Sequence, residues 1–129
     1  RYKAVLEIPS IKLKRGILDI DNKYNKAKYN IELIKEKDDI IVLASHNGNN
    51  YNSYFGNLKN ISLGDTINYY YDGKIYKYIY TDSYDIKKDG YADIYRKKGN
   101  KCIVLVTCKD GRNDGQTVFI GYLDEILEY

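Results

Sequence analysis

Two uninterrupted apolar runs restrict the fold of this chain more than any other feature. They are "DIIVLASHNG", residues 39–48, and "KCIVLVTC", residues 101–108. A strand that is covered on both faces has such a continuous run, whereas a half-exposed strand alternates between apolar and polar residues. The runs therefore predict two buried strands, and each ends beside a group that can take part in chemistry, His46 in the first and Cys108 in the second.

Shorter segments around these runs also have strand character. "YKAVLEI" and "IKLKRGI" are predicted strands joined around Pro9 and Ser10, because proline interrupts a central strand. Two β-rich runs flank Asp72-Gly73, which predicts a two-residue hairpin turn with positive φ. With "QTVFIGYL" as the last strand, the count reaches about seven or eight. So many strands favour a mostly β fold closed into a barrel, since closure removes the edges.

Helix signals are confined to two short segments. "DNKYNKAKYN", residues 21–30, is polar and rich in turn residues, with room for a short helix. Tyr51, Tyr54, Phe55 and Leu58 follow the i, i+3, i+4, i+7 spacing of an amphipathic helix. Gly56 lies inside that segment and weakens its helix propensity. One or two short helices are therefore expected beside the strands.

Length and charge point to a single domain, residues 1–129, without a nucleic-acid or anionic membrane surface. The formal net charge is +3, and the charged residues of both signs are interspersed along the chain. No stretch approaches the ~20 apolar residues of a membrane span. Because the sequence opens at "RYKAVLEIPS" without an initiator methionine, we expect an N-terminal targeting or anchoring segment to be absent from it.

The two cysteines are not expected to form a disulfide. Cys102 and Cys108 lie six residues apart in one predicted strand, which separates them by ~20 Å at ~3.3 Å per residue. A disulfide requires Cα atoms within ~7 Å of each other. The even spacing places both cysteines on one face of the strand, with Val104 and Val106 between them.

Cys108 and the single histidine, His46, form the minimal pair for nucleophilic acyl transfer. An imidazole can accept the proton that a thiol loses and return it to a departing amine. On these residues alone the alternatives stay open, since a cysteine in an apolar strand is more often a core residue and a histidine in "SHNG" more often a turn residue. No metal site is predicted, because one histidine and two cysteines on a single strand lack zinc-ligand spacing.

Three short motifs in a fixed order resemble the sortases, the cysteine transpeptidases of Gram-positive bacterial surfaces. They are Ser45-His46-Asn47, then Phe55…Leu58…Gly64-Asp65, then Val104-Leu105-Val106-Thr107-Cys108. The resemblance covers nearly the whole chain, from "LEIPSIKLKRGI" to "QTVFIGYL". It implies a closed eight-stranded β-barrel in which the catalytic groups lie at strand ends.

The resemblance also implies a reaction. In sortases a cysteine thiolate, here Cys108, attacks the Thr–Gly carbonyl of an LPxTG-like sorting-signal peptide and forms a thioester. An amine acceptor such as a cell-wall precursor peptide then takes the acyl group. His46 would protonate the departing amine and later deprotonate the incoming one. Ser45 and Asn47 are expected to contact the substrate, and Thr107 to have a structural role.

This chain departs from the family at one catalytic position. Sortases use an arginine, usually five residues before the small residue of the closing strand, to hold the substrate and stabilise the oxyanion. Counted back from Gly121, that position is Gln116, and the hairpin's arginine is Arg112, in the preceding loop. Register favours Gln116 and chemistry favours Arg112, because a charged donor stabilises an oxyanion better than a neutral one. Arg112 is therefore the first choice and Gln116 the alternative, as donor or as substrate-binding residue.

The resemblance also implies a cellular location and leaves two alternative interpretations of the function. No cofactor is implied. Some relatives use calcium, but no acidic cluster here supports a calcium site. We expect a full-length protein anchored in the membrane, with this domain at the extracellular face of the cytoplasmic membrane of a Gram-positive bacterium. The rival interpretations are an inactive sortase-like β-barrel that serves as a binding module, and a cysteine peptidase that hydrolyses its substrate without transfer.

Overall fold

The fold was analysed in a computed structural model, which describes residues 2–27, 29–37, 39–45, 54–87, 99–108 and 115–128. For Lys87, Cys108 and Gly115 it describes the backbone alone. The strands are β1 (Ala4–Ile8), β2 (Leu13–Ile17), β3 (Glu32–Lys37), β4 (Ile40–Ser45), β5 (Thr66–Tyr71), β6 (Lys74–Lys87), β7 (Cys102–Cys108) and β8 (Gly115–Glu128). Two single-turn 3₁₀ helices span Pro9–Ile11 and Leu58–Asn60. Within the described ranges no helix has the length and apolar character needed to cross a membrane.

The eight strands form one curled sheet in the order β2-β1-β5-β6-β8-β7-β4-β3. Strands β4 and β7 run parallel, and all the other neighbours are antiparallel. The mostly β prediction is confirmed, but the predicted closure is wrong. Strands β2 and β3 end the sheet without pairing with each other, so it is an open half-barrel.

The gap between β2 and β3 is filled by two buried asparagines from the segment that connects them. Asn30 donates from Nδ2 to the Gly16 carbonyl of β2 at 2.9 Å and accepts at Oδ1 from Arg15 Nε at 2.6 Å. Asn25 donates to the Leu33 carbonyl of β3 at 3.0 Å and accepts from the Leu33 N–H at 2.7 Å. These side chains thus satisfy backbone groups of the two edge strands, which do not pair with each other.

Replacing Asn25 with alanine should destabilise the protein by about 3 kcal/mol. The change leaves the buried N–H and C=O of Leu33 without partners, and each such group costs about 1–3 kcal/mol. Urea unfolding measures the loss. The matched control is Asn22→Ala, since the Asn22 side chain accepts an exposed hydrogen bond from Tyr24 N–H that water can replace. Equal losses in the two variants would show that Asn25 does not stabilise the β3 edge.

Alternate residues of the central strands pack into two separate hydrophobic cores. Ile41 and Leu43 of β4, with Ile103 and Leu105 of β7, face the main core inside the curve of the sheet. The other face of β4, β7 and β8 holds a smaller core, here called the second-face cluster: Ile40, Val42, Cys102, Val104, Val106, Val118 and Ile120. Strands β4 and β7 are thus covered on both faces, as their continuous apolar sequences predict.

Several local predictions can be compared with the described elements. The strands on either side of Pro9 are confirmed, and the Asp72-Gly73 turn joins β5 to β6 with φ values of 53° and 75°. No helix forms among the described residues of 21–30, which are turns. Near Leu58, the predicted amphipathic helix is reduced to turns and one 3₁₀ turn, with Phe55 and Leu58 buried; residues 51–53 of it lie outside the described part of the chain.

Candidate active site

The parallel pairing of β4 and β7 brings two strand ends together at one edge of the sheet. Their register runs without a break from Ile40 opposite Cys102 to Ser45 opposite Thr107. The next residue along the chain is His46 after Ser45, and Cys108 after Thr107. The same edge therefore contains the last residue of β7 and the position at which the chain leaves β4.

Strand β8 brings Gln116 to this edge as well. The antiparallel β7–β8 register places Gln116 directly opposite Cys108, and Thr117 opposite Thr107. Directly opposed positions of an antiparallel pair share one face of the sheet, with Cα atoms ~4.5–5.5 Å apart. The position of Cys108 thus falls on the face of Cys102, Val104 and Val106, and Gln116 is partly exposed beside it.

Ser45 and Thr107 lie on the opposite face, under the strand ends. Ser45 continues the alternation of Leu43 and Thr107 that of Leu105, so both point into the main core. Both are buried, and neither side-chain hydroxyl has a hydrogen-bond partner among the residues that the structure describes. The described environment of Ser45 is therefore the interior of the fold rather than the face of Cys108.

The predicted site residues divide into a described and an undescribed group. The backbone of Cys108, the whole of Gln116 and the whole of Ser45 lie together at the edge described above. His46, Asn47 and Arg112 lie outside the described residues, so their placement stays a prediction. Cys102 is buried and carries no disulfide, as predicted for the two cysteines from their spacing.

A buried apolar cluster that sequence reasoning did not assign to the site lies on the same face of the sheet as the Cys108 position. Val104 and Val106 of β7 lie beside Val42 of β4 and Val118 of β8 in the second-face cluster, and Ala44 packs against it. The even spacing of Val104, Val106 and Cys108 was the available signal. It showed a shared face but not which neighbouring strands extend that face.

The Phe…Leu…Gly-Asp motif has a structural role in the described residues. Phe55 and Leu58 are buried in the main core. Gly64 adopts a φ of 94°, and its N–H donates to the Tyr80 carbonyl at 2.9 Å. The Asp65 carboxylate accepts from the Ser62 N–H at 2.8 Å, and this bond, with a second from the Ser10 side chain, lowers the pKa of Asp65. The motif therefore fixes the turn that begins β5.

Two further observations concern possible metal sites and cavities. In the part of the chain that the structure describes, no group of three or more His, Cys, Asp or Glu side chains is placed to hold a metal ion. The larger of the two described cavities lies at the amino ends of β4 and β7, away from Cys108. The described residues at the candidate site thus offer the position of a cysteine and, opposite it, a partly exposed amide side chain.

Comparison with known proteins identifies the family. A family model for the sortase domain matches residues 6–123. Listeria monocytogenes sortase A is 20% identical with a TM-score of 0.82, and the alignment covers 99% of this chain and 90% of that one. A lid mutant of Corynebacterium diphtheriae sortase A is 16% identical with a TM-score of 0.82, and the alignment covers 97% of this chain and 71% of that one. A Clostridium perfringens sortase D5 transpeptidase is 17% identical with a TM-score of 0.78, and the alignment covers 96% of this chain and 79% of that one. No curated protein sequence matches the chain.

Proposed function

The chain belongs to the sortase family, and on that premise we propose that it is a cysteine transpeptidase that cleaves an LPxTG-like sorting signal. It transfers the cleaved protein to an amine such as that of a cell-wall precursor peptide. The observation that carries the proposal is the in-register parallel pairing of β4 and β7, which ends at Ser45 and Thr107.

This pairing supports a functional Cys108–His46 pair. Neighbouring strands lie ~4.8 Å apart, and consecutive Cα atoms are 3.8 Å apart along the chain. His46 and Cys108 are each one residue beyond the last β4–β7 pair. We therefore propose that the Cys108 thiol and the His46 imidazole act together at this edge of the sheet and exchange a proton through the substrate.

The proposed reaction has two half-reactions. The Cys108 thiolate attacks the carbonyl carbon of the scissile amide, and the C–N bond breaks as the His46 imidazolium protonates the departing amine. The product is a thioester between Cys108 and the cleaved sorting signal. In the second half-reaction, neutral His46 takes a proton from the incoming amine, which attacks the thioester and releases the thiolate.

Gln116 is proposed as a donor to the oxyanion that forms in both half-reactions. Its position opposite Cys108 in the β7–β8 register supports this role, because the amide side chain is attached beside the nucleophile's position. Arg112 remains the charged alternative. If Gln116 is the donor, Gln116→Ala loses activity, and if Arg112 is the donor, Arg112→Ala does.

Gln116, which is partly exposed opposite Cys108, is also proposed as a contact for the sorting-signal peptide. Asn47, next to His46 in the chain, is proposed to contact the peptide too, and Ser45 would do so through its backbone, since its side chain is buried. We further propose that the full-length protein is anchored at the extracellular face of the cytoplasmic membrane of a Gram-positive bacterium. The mechanism uses no cofactor.

The test combines a pooled panel of LPxTG-like and NPxTN-like peptides with a triglycine acceptor and reads products by mass spectrometry. A ligated peptide supports transpeptidation, and its mass identifies the motif. Cleaved peptide without ligated product would instead indicate a cysteine peptidase. Alkylation rates provide the second readout, since an activated Cys108 should react well before buried Cys102.

A non-catalytic binding module is the alternative, favoured by Gln116 at the position where the family has arginine. Peptide binding without cleavage, with slow alkylation of both cysteines, would support that alternative and contradict the transpeptidase proposal.

A further inference from the structure

The larger cavity, at the amino ends of β4 and β7, lies at the end of the half-barrel opposite the candidate active site. Its volume is about 490 Å³, and its lining includes Ile40, the first residue of β4, and Lys101, which precedes β7. Cys108 ends β7 and is six residues from the strand's start, or ~20 Å. The cavity therefore opens at the other mouth of the curved sheet, in the size range of small-molecule sites.

Four tyrosines form the wall of this cavity: Tyr69, Tyr71, Tyr76 and Tyr78. Tyr69 and Tyr76 are directly opposed across β5 and β6, so their rings lie on one face of the sheet. Tyr69 and Tyr78 are buried, whereas Tyr71 and Tyr76 keep exposed ring surface, so the wall presents apolar ring faces and phenolic hydroxyls together. It suits a ring-shaped ligand that has apolar faces and a hydroxylated edge.

One of these hydroxyls lacks a partner. Tyr69 is 1% exposed, and its hydroxyl has no hydrogen-bond partner among the described residues. Burial, with the charge of the nearby Glu36 carboxylate and its contact with this phenol, raises the pKa of Tyr69 far above its ordinary value, and burial likewise raises that of Tyr78. Both phenols therefore stay neutral. A buried hydroxyl left unpaired carries a free-energy cost that a hydroxylated ligand would relieve.

The charges at the mouth of the cavity favour an anion. Glu36 is already neutralised by an ion pair with the Lys3 ammonium, which also lies 5.0 Å from the centre of the Tyr71 ring. Lys37 and Lys101 line the cavity and are exposed, and no ion pair with a described carboxylate neutralises either one. The mouth thus has two exposed lysine ammonium groups beside an aromatic wall.

From this combination we propose that the cavity binds a carboxylate-bearing saccharide. The sugar ring stacks on the tyrosine wall, its hydroxyls pair with the phenols, and its carboxylate lies between Lys37 and Lys101. The site is separate from the proposed transpeptidation, and binding needs no catalysis. A failed transpeptidation assay therefore leaves this proposal standing, and the reverse also holds.

Titrations followed by amide chemical shifts test the proposal with D-glucuronate, D-glucose and acetate as probes. Glucuronate should bind at least about tenfold more tightly than either other probe, with shifts confined to residues near the cavity. Equal affinity for acetate would reduce the site to non-specific anion binding and overturn the proposal. Absence of shifts with all three probes would overturn it as well.

Two variants separate the proposed contacts. The double change Lys37→Ala, Lys101→Ala should weaken glucuronate binding at least about tenfold, while Lys26→Ala, at an exposed lysine that does not line the cavity, should leave it unchanged. Tyr69→Phe removes only the unpaired hydroxyl. It should weaken binding several-fold and leave the protein at least as stable to urea. Unchanged affinity in both cavity variants would contradict the proposed site.

Discussion

Cys108→Ala should reduce the rate of transpeptidation by at least about 10³-fold and abolish the thioester adduct. The expected loss is this large because the thiolate forms the covalent intermediate. Cys108 is the last residue of β7, and truncation to alanine removes one sulfur atom without interrupting the strand. Intact-protein mass spectrometry after incubation with the peptide panel measures the adduct, and ligated product measures the rate.

Cys102→Ala is the matched control, since it removes the same sulfur atom from the same strand. Cys102 is buried in the second-face cluster, so this variant should lose stability rather than catalytic competence. It should still form the adduct at a temperature where it is folded. An adduct that persists in Cys108→Ala but disappears in Cys102→Ala would show that the nucleophile has been assigned to the wrong cysteine.

The strands that could be predicted from sequence are those with a strong local pattern. Continuous apolar runs marked β4 and β7, and an Asp-Gly pair marked the β5–β6 hairpin. Strand β3 was missed because Leu33 is its one buried residue and a register shift follows it, so no alternation is visible. The open edge was missed because its groups are satisfied by side chains of Asn25 and Asn30, which in sequence look like ordinary turn residues.

The candidate site was predictable in its residue types but not in its pairings. The period of two along β7 showed that Cys108 shares a face with Val106, because that relation is local. Which residue lies opposite Cys108 depends on the β7–β8 register, and this is set by long-range packing. Likewise, the burial of Ser45 beside Thr107 follows from parallel pairing between strands more than fifty residues apart in sequence.

Gln116→Ala should lower the rate of thioester formation by about 10²-fold, the usual cost of removing one oxyanion donor. Arg112→Ala should then have a small effect, because Gln116 is the residue that the β7–β8 register places opposite Cys108. Single-turnover kinetics with the identified peptide measures acylation separately from binding. Thr117→Ala, at the next β8 position, is the control for simple disturbance of the strand.

A further variant tests the same position by adding a charged donor there. Gln116→Arg places the family's usual charged donor opposite Cys108, and a charged hydrogen bond stabilises an oxyanion more than a neutral one does. Acylation should therefore be as fast as in the parent protein or faster, and Arg112→Ala should have no effect in that background. If instead Arg112→Ala alone removes the activity while Gln116→Ala keeps it, the charge comes from the loop. The β8 position would then serve substrate binding or packing alone.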